Sequence, residues 1–126
     1  MPFVRIDLVE GKPAEYRTGL GDVVYQAMRS TMDVPEGDRF QVITEHPPGD
    51  LIADPGYFGV ERTADCVFIQ VTMKSGRTVG ARLAFFRAVA DGLHERLGLR
   101  REDVFINLVE VAKENWSFGN GIAQLA

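Results

Sequence analysis

The chain has 126 residues, of which 45% are hydrophobic and 25% are charged, with a net charge of −4 and a pI of about 5.1. This composition predicts one ordinary folded domain, residues 1–126, and does not favour nucleic acid or an anionic membrane as a partner, because both attract basic surfaces. The apolar runs are far shorter than a membrane span, and no targeting segment is expected before the first strand. The single cysteine, Cys66, cannot form an internal disulfide, which favours a cytoplasmic location.

The first strand pattern runs from Pro2 to Val9 and places Val4, Ile6 and Leu8 on one apolar face. Initiator methionine is normally removed when a small residue such as proline follows it. The mature chain is then expected to begin with the secondary amine of Pro2, held at the end of a buried strand, whereas most chain ends fray. If methionine is retained, the Pro2 nitrogen is an amide and this hypothesis fails.

Strand and helix patterns alternate along the rest of the chain. In the first half they predict a helix over about Ala14–Met32, a strand over Phe40–Glu45, a loop over His46–Tyr57 and a short edge strand over Phe58–Arg62. Leu51 and Ile52 are expected to hold that loop to the body. In the second half they predict a central strand over Cys66–Met73, a helix over about Val79–Leu97 and a strand over Val104–Val111. The second helix is expected to bury a stripe formed by Leu83, Phe86, Val89, Ala90, Leu93 and Leu97.

The two halves of the chain align with a constant offset of 65 residues, as from Gly11 to Gly76. The same offset aligns Lys12 with Arg77, Leu20 with Phe85, Asp38 with Asp103 and Glu45 with Glu110. Two tandem βαβ units, of about residues 2–62 and 66–126, are therefore predicted, each with parallel strands joined by a crossover helix. The expected architecture is an α/β sandwich with one four-stranded mixed sheet and both helices on one face.

The other face of that sheet is partly apolar and needs cover. Sheet faces that meet around a three-fold axis would bury it, so a homotrimer is expected. His46 and His94 lack the spacing of metal ligands, and no metal or other cofactor is expected. His46 is expected to hydrogen-bond within its loop, and Cys66 to be a small core residue.

The chain resembles the tautomerase superfamily, and within it the malonate semialdehyde decarboxylase-like branch, in three segments. These are the opening strand with Pro2, residues 34–41 (VPEGDRFQ), and residues 109–110 followed by 115–121 (NWSFGNG). The likeness covers nearly the whole chain. It implies a tautomerase-like fold, an amino-terminal proline as catalyst, a homotrimer with active sites near the subunit boundaries, and a small carboxylate as substrate.

The resemblance also implies a role for individual residues. Pro2 matches the catalytic proline, and Asp38 matches an aspartate that assists proton or water handling. Arg77 matches the second of two arginines that hold the substrate carboxylate. Trp116 and Phe118 match an aromatic wall of the pocket.

Two cationic positions depart from the family pattern. Lys74 or Ser75 stands where the first of the two arginines would be, which argues against malonate semialdehyde decarboxylation. Lys12 stands where simpler tautomerases carry a substrate-binding arginine. Lysine can also bind a carboxylate, as a point charge without the bidentate fork of arginine. Lys74 and Lys12 are therefore candidate substrate-binding residues.

Each candidate also has a purely structural interpretation. An unreactive Pro2 would only begin a strand, and Arg77 would only solvate the start of a helix. Asp38 would cap turn amides, as its repeat partner Asp103 is placed to do. The two lysines would be solvated, and the aromatic residues of the tail would serve packing.

Burial and the nearby cations Arg77 and Lys74 would lower the pKa of a Pro2 amine below the usual value for a chain terminus. A neutral amine is then available as a general base for keto–enol proton transfer on a small 2-oxo acid. The sequence thus favours a cofactor-independent tautomerase. Two alternatives stay open: a malonate semialdehyde decarboxylase-like decarboxylase or hydratase, and a non-catalytic trimeric binding protein.

Overall fold

The computed structural model describes residues 2–126. They form four strands and two long helices in the order β1 (Phe3–Val9), α1 (Ala14–Met32), β2 (Phe40–His46), β3 (Val67–Lys74), α2 (Val79–Leu97) and β4 (Val104–Val111). Short 3₁₀ turns occupy Tyr57–Gly59, Arg101–Asp103 and Lys113–Asn115. Both helices and β4 have the predicted bounds. β1 and β2 each differ from the prediction by one residue at one end, and β3 is shifted by one residue at both ends.

The four strands form one sheet in the order β2-β1-β3-β4. β1 is parallel to β2, and β3 is parallel to β4, so each half of the chain is a βαβ unit. The two units join at the centre of the sheet, where β1 and β3 are antiparallel. The prediction of a tandem βαβ repeat with a four-stranded mixed sheet and two helices on one face is confirmed.

The core lies between the sheet and the two helices. Alternation along β1 selects its members, because Val4 and Ile6 are fully buried while Phe3 and Arg5 are exposed. The corresponding core residues of β3 are Val67, Ile69, Val71 and Met73, and those of α1 include Leu20, Val24, Ala27 and Met28. The face of β1 expected to be apolar is therefore the one that packs against the helices.

The buried stripe of α2 differs from the prediction. Phe85, Val89 and Leu93 form it, whereas Leu83 is 56% exposed. Residues four positions apart share one face of a helix, and Leu83 lies two positions before Phe85, on another face. The repeat offset identifies the right residue, because it aligns Phe85 with Leu20, and both are fully buried.

The segment between β2 and β3 has no strand, so the edge strand expected over Phe58–Arg62 is wrong. Tyr57–Gly59 forms a 3₁₀ turn in which Phe58 has a φ of 62°. The Arg62 guanidinium donates at 3.1–3.3 Å to three carbonyls of this segment, those of Asp54, Tyr57 and Val60. These local bonds take carbonyl oxygens that a strand would offer to a neighbour. Ile52 does not hold the loop to the body either, since it is 82% exposed.

The two units repeat one another in detail. The offset of 65 residues relates the amide-to-carbonyl bonds Glu10–His46 and Ser75–Val111, both 2.9 Å long, and the ion pairs Arg17–Glu45 and Arg82–Glu110. Gly11 and Gly76 open the equivalent turns with φ values of 117° and 122°, which favour glycine. Each strand-to-helix turn is therefore built in the same way, with Lys12 in one and Arg77 in the other.

The sheet face opposite the helices is open in the single chain. Phe40 and Phe105 on this face are 49% and 47% exposed, and Phe3 and Val42 are exposed beside Phe40. No helix among residues 2–126 packs over them. An apolar patch of this kind is typical of an interaction surface.

Asp103 is fully buried and ties the segment before β3 to the start of β4. Its two carboxylate oxygens accept from the Thr63 amide at 2.7 Å and from the Thr63 hydroxyl at 2.6 Å. Substitution Asp103→Ala leaves that amide unpaired and is expected to lower the free energy of unfolding by about 2–4 kcal/mol, measured by urea denaturation. Asp50→Ala, at an exposed position in the segment that also contains Thr63, is the control. An equal loss of stability in both variants would contradict the prediction.

Candidate active site

Pro2 is buried at the end of the sheet where β1 begins. β1 is a central strand, and Phe3 is aligned with Phe40 of β2 on one side and with Thr72 of β3 on the other. Neighbouring strands lie about 4.8 Å apart. The start of β2 and the end of β3 therefore flank Pro2.

Strand register brings three further candidates to this end of the sheet. Asp38 lies two residues before the β2 partner of Phe3, and Lys74 lies two residues after the β3 partner. Arg77 is in the turn that follows β3. Sheet topology thus places Asp38, Lys74 and Arg77 at the same end as Pro2.

A tight turn presents Asp38. The Asp38 amide donates to the Pro35 carbonyl at 3.2 Å, and the Arg39 amide donates to the Gly37 carbonyl at 2.9 Å. Gly37 has a φ of 86°, a value that favours glycine. The half-buried Asp38 is therefore attached to a backbone whose path is fixed on both sides.

Two backbone carbonyls orient the half-buried Arg77. Its Nε donates to the Met32 carbonyl at 3.2 Å, and its Nη1 donates to the Lys74 carbonyl at 3.0 Å. Met32 is the last residue of α1, so Arg77 also places a cation at the carboxyl end of a helix, where it is favoured. A guanidinium has five N–H donors, and these two bonds leave three for other acceptors. Arg77 is fixed in place and can still bind a carboxylate.

The residues after β4 cross the Pro2 end of the sheet. β4 and β2 are opposite edges, yet the Phe118 ring centroid lies 6.3 Å from that of Phe40 at the start of β2. Trp116 stacks on Phe118 with centroids 5.9 Å apart and planes 9° from parallel. The segment must therefore pass across β3 and β1. Phe40, Trp116 and Phe118 form an aromatic wall at the Pro2 end.

The aromatic wall contains an unpaired donor. The Nε1–H of Trp116 is buried and has no hydrogen-bond acceptor among residues 2–126. A buried polar group without a partner costs about 1–3 kcal/mol. An acceptor outside these residues, on a ligand, a water or a second copy of the chain, could pair with it.

Lys12 is not brought to Pro2 within one chain. It follows β1, whose seven residues span about 23 Å, and lies at the opposite end of the sheet. There its Nζ is 3.2 Å from Oδ1 of Asp65 and 5.3 Å from the centroid of the Tyr16 ring. Lys12 could reach only the Pro2 site of a neighbouring copy.

His46 and Cys66 take no part in the arrangement around Pro2. His46 ends β2, and its Nε2 lies 2.7 Å from Oδ1 of Asp7 in β1, so its contact joins two strands and is not within the loop. Cys66 is buried as expected, and burial raises the pKa of its thiol, which disfavours the nucleophilic thiolate. A mostly apolar cavity of about 320 Å³ lies beside Cys66, at the end of the sheet opposite Pro2.

Two contributors to this end of the molecule were not identified as site residues from the sequence. Phe40 could have been found, because it lies in the resembled segment 34–41 and alternation places it on the open face. Tyr25 could not, because a tyrosine inside a helix carries no signal of its own. Its hydroxyl accepts a hydrogen bond from the Gly37 amide at 3.0 Å.

Comparison with known proteins bears on this arrangement. Family models described as tautomerase enzymes match residues 38–119 and residues 2–61. The chain belongs to the tautomerase superfamily. A superfamily relative, the probable tautomerase YusQ of Bacillus subtilis (strain 168), is 42% identical over 125 residues, which cover 99% of this chain and 98% of YusQ. This membership confirms the resemblance seen in the sequence.

Solved structures agree with the tautomerase assignment. FG41 malonate semialdehyde decarboxylase, inhibited by 3-bromopropiolate, is 37% identical with a TM-score of 0.91, over 97% of this chain and 92% of that one. A fused 4-OT solved as a symmetric trimer has a TM-score of 0.80 over 98% and 97% of the chains, and at 22% identity it shows the fold alone.

Residues 2–126 were searched for membrane-spanning helices and for metal-binding groups of side chains. No helix within them is both long and apolar enough to cross a membrane. Nor do these residues bring three or more histidine, cysteine, aspartate or glutamate side chains together in a group that could hold a metal ion.

Proposed function

We propose that this chain is a cofactor-independent enzyme that uses the amine of Pro2 for keto–enol proton transfer on a small 2-oxo acid. The observation that supports this most directly is the location of Pro2. It is buried at the start of a central strand, at the sheet end that also holds Arg77 and the aromatic wall. The proposal requires removal of Met1, which makes the Pro2 nitrogen a secondary amine.

Arg77 binds the substrate carboxylate through the N–H groups that its bonds to the Met32 and Lys74 carbonyls leave over. The amine acts in its neutral form as the base, because burial and the cations of Arg77 and Lys74 disfavour the ammonium form. The amine takes a proton from the carbon next to the keto group. The C–H electron pair becomes the enol double bond, and the carbonyl oxygen gains a proton, for which Asp38 is the nearby acid–base group. The reverse reaction returns the proton to carbon.

The remaining candidates have supporting roles in this proposal. Lys74 adds a second positive charge for the carboxylate. Trp116 and Phe118 keep water from the reacting carbon, and the unpaired Nε1–H of Trp116 is available to a ligand oxygen. Lys12 contributes, if at all, to the Pro2 site of a neighbouring copy.

Decarboxylation of a 3-oxo acid such as malonate semialdehyde is the second candidate, favoured by the 37% identity to a malonate semialdehyde decarboxylase. In that reaction the Pro2 amine stays protonated and donates a hydrogen bond to the carbonyl oxygen. The bond between the carboxylate and the α-carbon breaks, its electron pair forms an enolate, and carbon dioxide leaves. A proton then adds to the α-carbon. Arg77 would orient the departing carboxylate.

Ketonisation of phenylenolpyruvate, followed by ultraviolet absorbance, tests the first function, and carbon dioxide release from malonate semialdehyde tests the second. Intact-mass measurement of untagged protein accompanies both. A mass without Met1 together with ketonisation supports the proposal. Carbon dioxide release without ketonisation favours the decarboxylase. Retained Met1 and neither activity favour the non-catalytic binding protein.

We also propose that the single domain of residues 1–126 assembles as a homotrimer in the cytoplasm. Support comes from the exposed apolar residues of the open sheet face, from the trimeric fused 4-OT of the same fold, and from the lone cysteine. Substitution Phe105→Glu puts a charge on this face and is expected to reduce the sedimenting mass from about three times 14.0 kDa towards one. Ile52→Glu, in the exposed loop, is the matched control and is expected to stay trimeric. A trimeric Phe105→Glu would contradict this interface.

A further inference from the structure

The turn that presents Asp38 is held by side chains of α1. Tyr25 is 8% exposed, and its hydroxyl accepts from the Gly37 amide at 3.0 Å. Gly37 immediately precedes Asp38. A buried phenol on a long helix is a rigid acceptor, because the ring has two torsions and both are fixed by packing. The backbone on the amino-terminal side of Asp38 is thereby tied to the helix.

The residue on the other side of Asp38 is tied to the same helix. The Nη2 of Arg39 donates to Oδ1 of Asp22 at 2.8 Å, and its guanidinium carbon lies 4.9 Å from the centroid of the Tyr25 ring. Arg96 of α2 donates to the second Asp22 oxygen at 3.1 Å. The hydrogen bond from Arg39 lowers the pKa of the Asp22 carboxyl, so Asp22 stays ionised and the pair persists.

These contacts hold the chain on both sides of Asp38. We call the three residues that make them, Tyr25, Asp22 and Arg39, the clamp. The turn also contains short-range bonds from the Asp38 amide to the Pro35 carbonyl and from the Arg39 amide to the Gly37 carbonyl. Pro35 and Glu36 are exposed. The clamp therefore adds an attachment to α1 to the bonds that the turn makes within itself.

We propose that Tyr25 is a positioning residue, which aims the Asp38 carboxyl at the reacting atoms by holding the Gly37 amide. The inference rests on the proposed function, in which Asp38 handles the proton at the enol oxygen. The rate of proton transfer falls when the transferring group is misplaced by about 1 Å. Tyr25 acts through Asp38 and touches no substrate.

Tyr25→Phe tests this role, because it keeps the buried ring and its contact with Arg39 and removes only the acceptor for Gly37. In otherwise unchanged protein, we expect kcat for phenylenolpyruvate to fall by about three- to tenfold with KM nearly constant. In an Asp38→Asn background, the same change is expected to lower kcat by less than about twofold, since the two residues act as one unit. Tyr57→Phe, at an exposed phenol of the loop, is the matched control and is expected to leave kcat unchanged.

Two kinetic results of this double-mutant cycle would contradict the proposal. An unchanged kcat in Tyr25→Phe overturns the proposal, and so does an equal fall in both backgrounds, because Tyr25 would then act independently of Asp38. Amide hydrogen exchange at Gly37 and Asp38 gives a readout that does not need activity. Faster exchange at these amides in Tyr25→Phe supports the clamp even if Pro2 proves unreactive, and unchanged exchange rejects it. Full activity of a Pro2 variant rejects the proposed function alone.

Discussion

Replacement of Pro2 by alanine is expected to lower kcat/KM for phenylenolpyruvate ketonisation by about 100-fold or more, because a positioned general base contributes about 10²- to 10⁴-fold. Alanine is also small, so the removal of Met1 that the proposed function requires is expected in this variant too, which would leave a terminal amine at the start of β1. That amine is primary, and the ring that directs its lone pair is gone. The initial rate, followed by ultraviolet absorbance across a range of pH, is the measurement.

The interpretation needs two controls. Intact mass must show that wild type and Pro2→Ala both lack Met1, and urea denaturation must show that both are folded. Pro13→Ala removes an exposed proline just before α1 and is expected to keep activity within about twofold of wild type, as is usual for surface changes. Wild-type activity in Pro2→Ala would exclude this residue as the base.

Substitution Arg77→Ala is expected to reduce kcat/KM by about 10- to 100-fold, mainly through KM, because charge-assisted hydrogen bonds to the substrate carboxylate are lost. It is also expected to lower the free energy of unfolding by about 1–2 kcal/mol, since the Met32 and Lys74 carbonyls lose their donor. Arg77→Lys should recover part of the affinity, because it keeps the charge without the fork. Steady-state kinetics and urea denaturation measure the two effects separately.

Arg17→Ala is the matched control for the structural part of this loss. Arg17 lies towards the opposite end of the sheet, where its Nη1 is 3.2 Å from Glu45 and donates to the Lys12 carbonyl at 3.4 Å. We expect a similar loss of stability and little change in kcat/KM. If Arg17→Ala and Arg77→Ala reduced activity equally, the effect of Arg77 would be one of folding and not of substrate binding.

The fold could be predicted well because its signals are local. Gly11 and Gly76 mark equivalent turns, Gly98 ends α2 with a φ of 68°, and β1 alternates cleanly between apolar and exposed residues. The repeat then indicates that two βαβ units follow one another along the chain. The prediction of an edge strand over Phe58–Arg62 was wrong because the Arg62 side chain donates to three carbonyls of its own segment. No sequence pattern indicates such bonds in advance.

The site was only partly predictable. The repeat makes Lys12 and Arg77 equivalent, but it does not place them together, because the antiparallel pairing of β1 with β3 turns the two units in opposite directions. Arg77 therefore lies near Pro2 and Lys12 lies far from it. The crossing of the sheet end by Trp116 and Phe118 depends on contacts between segments that are distant in sequence. A resemblance could suggest it, whereas periodicity could not.

The offset of 65 residues has a chemical consequence for the number of reactive groups. It aligns Pro2 with Val67, whose nitrogen lies within a continuous peptide and is therefore an amide. Of the two equivalent sheet ends in each chain, at most one can present a terminal amine. At the other end, Lys12 forms an ion pair with the carboxylate of Asp65. Linking two βαβ units in one polypeptide thus makes the two sheet ends chemically different, although the scaffold around them repeats.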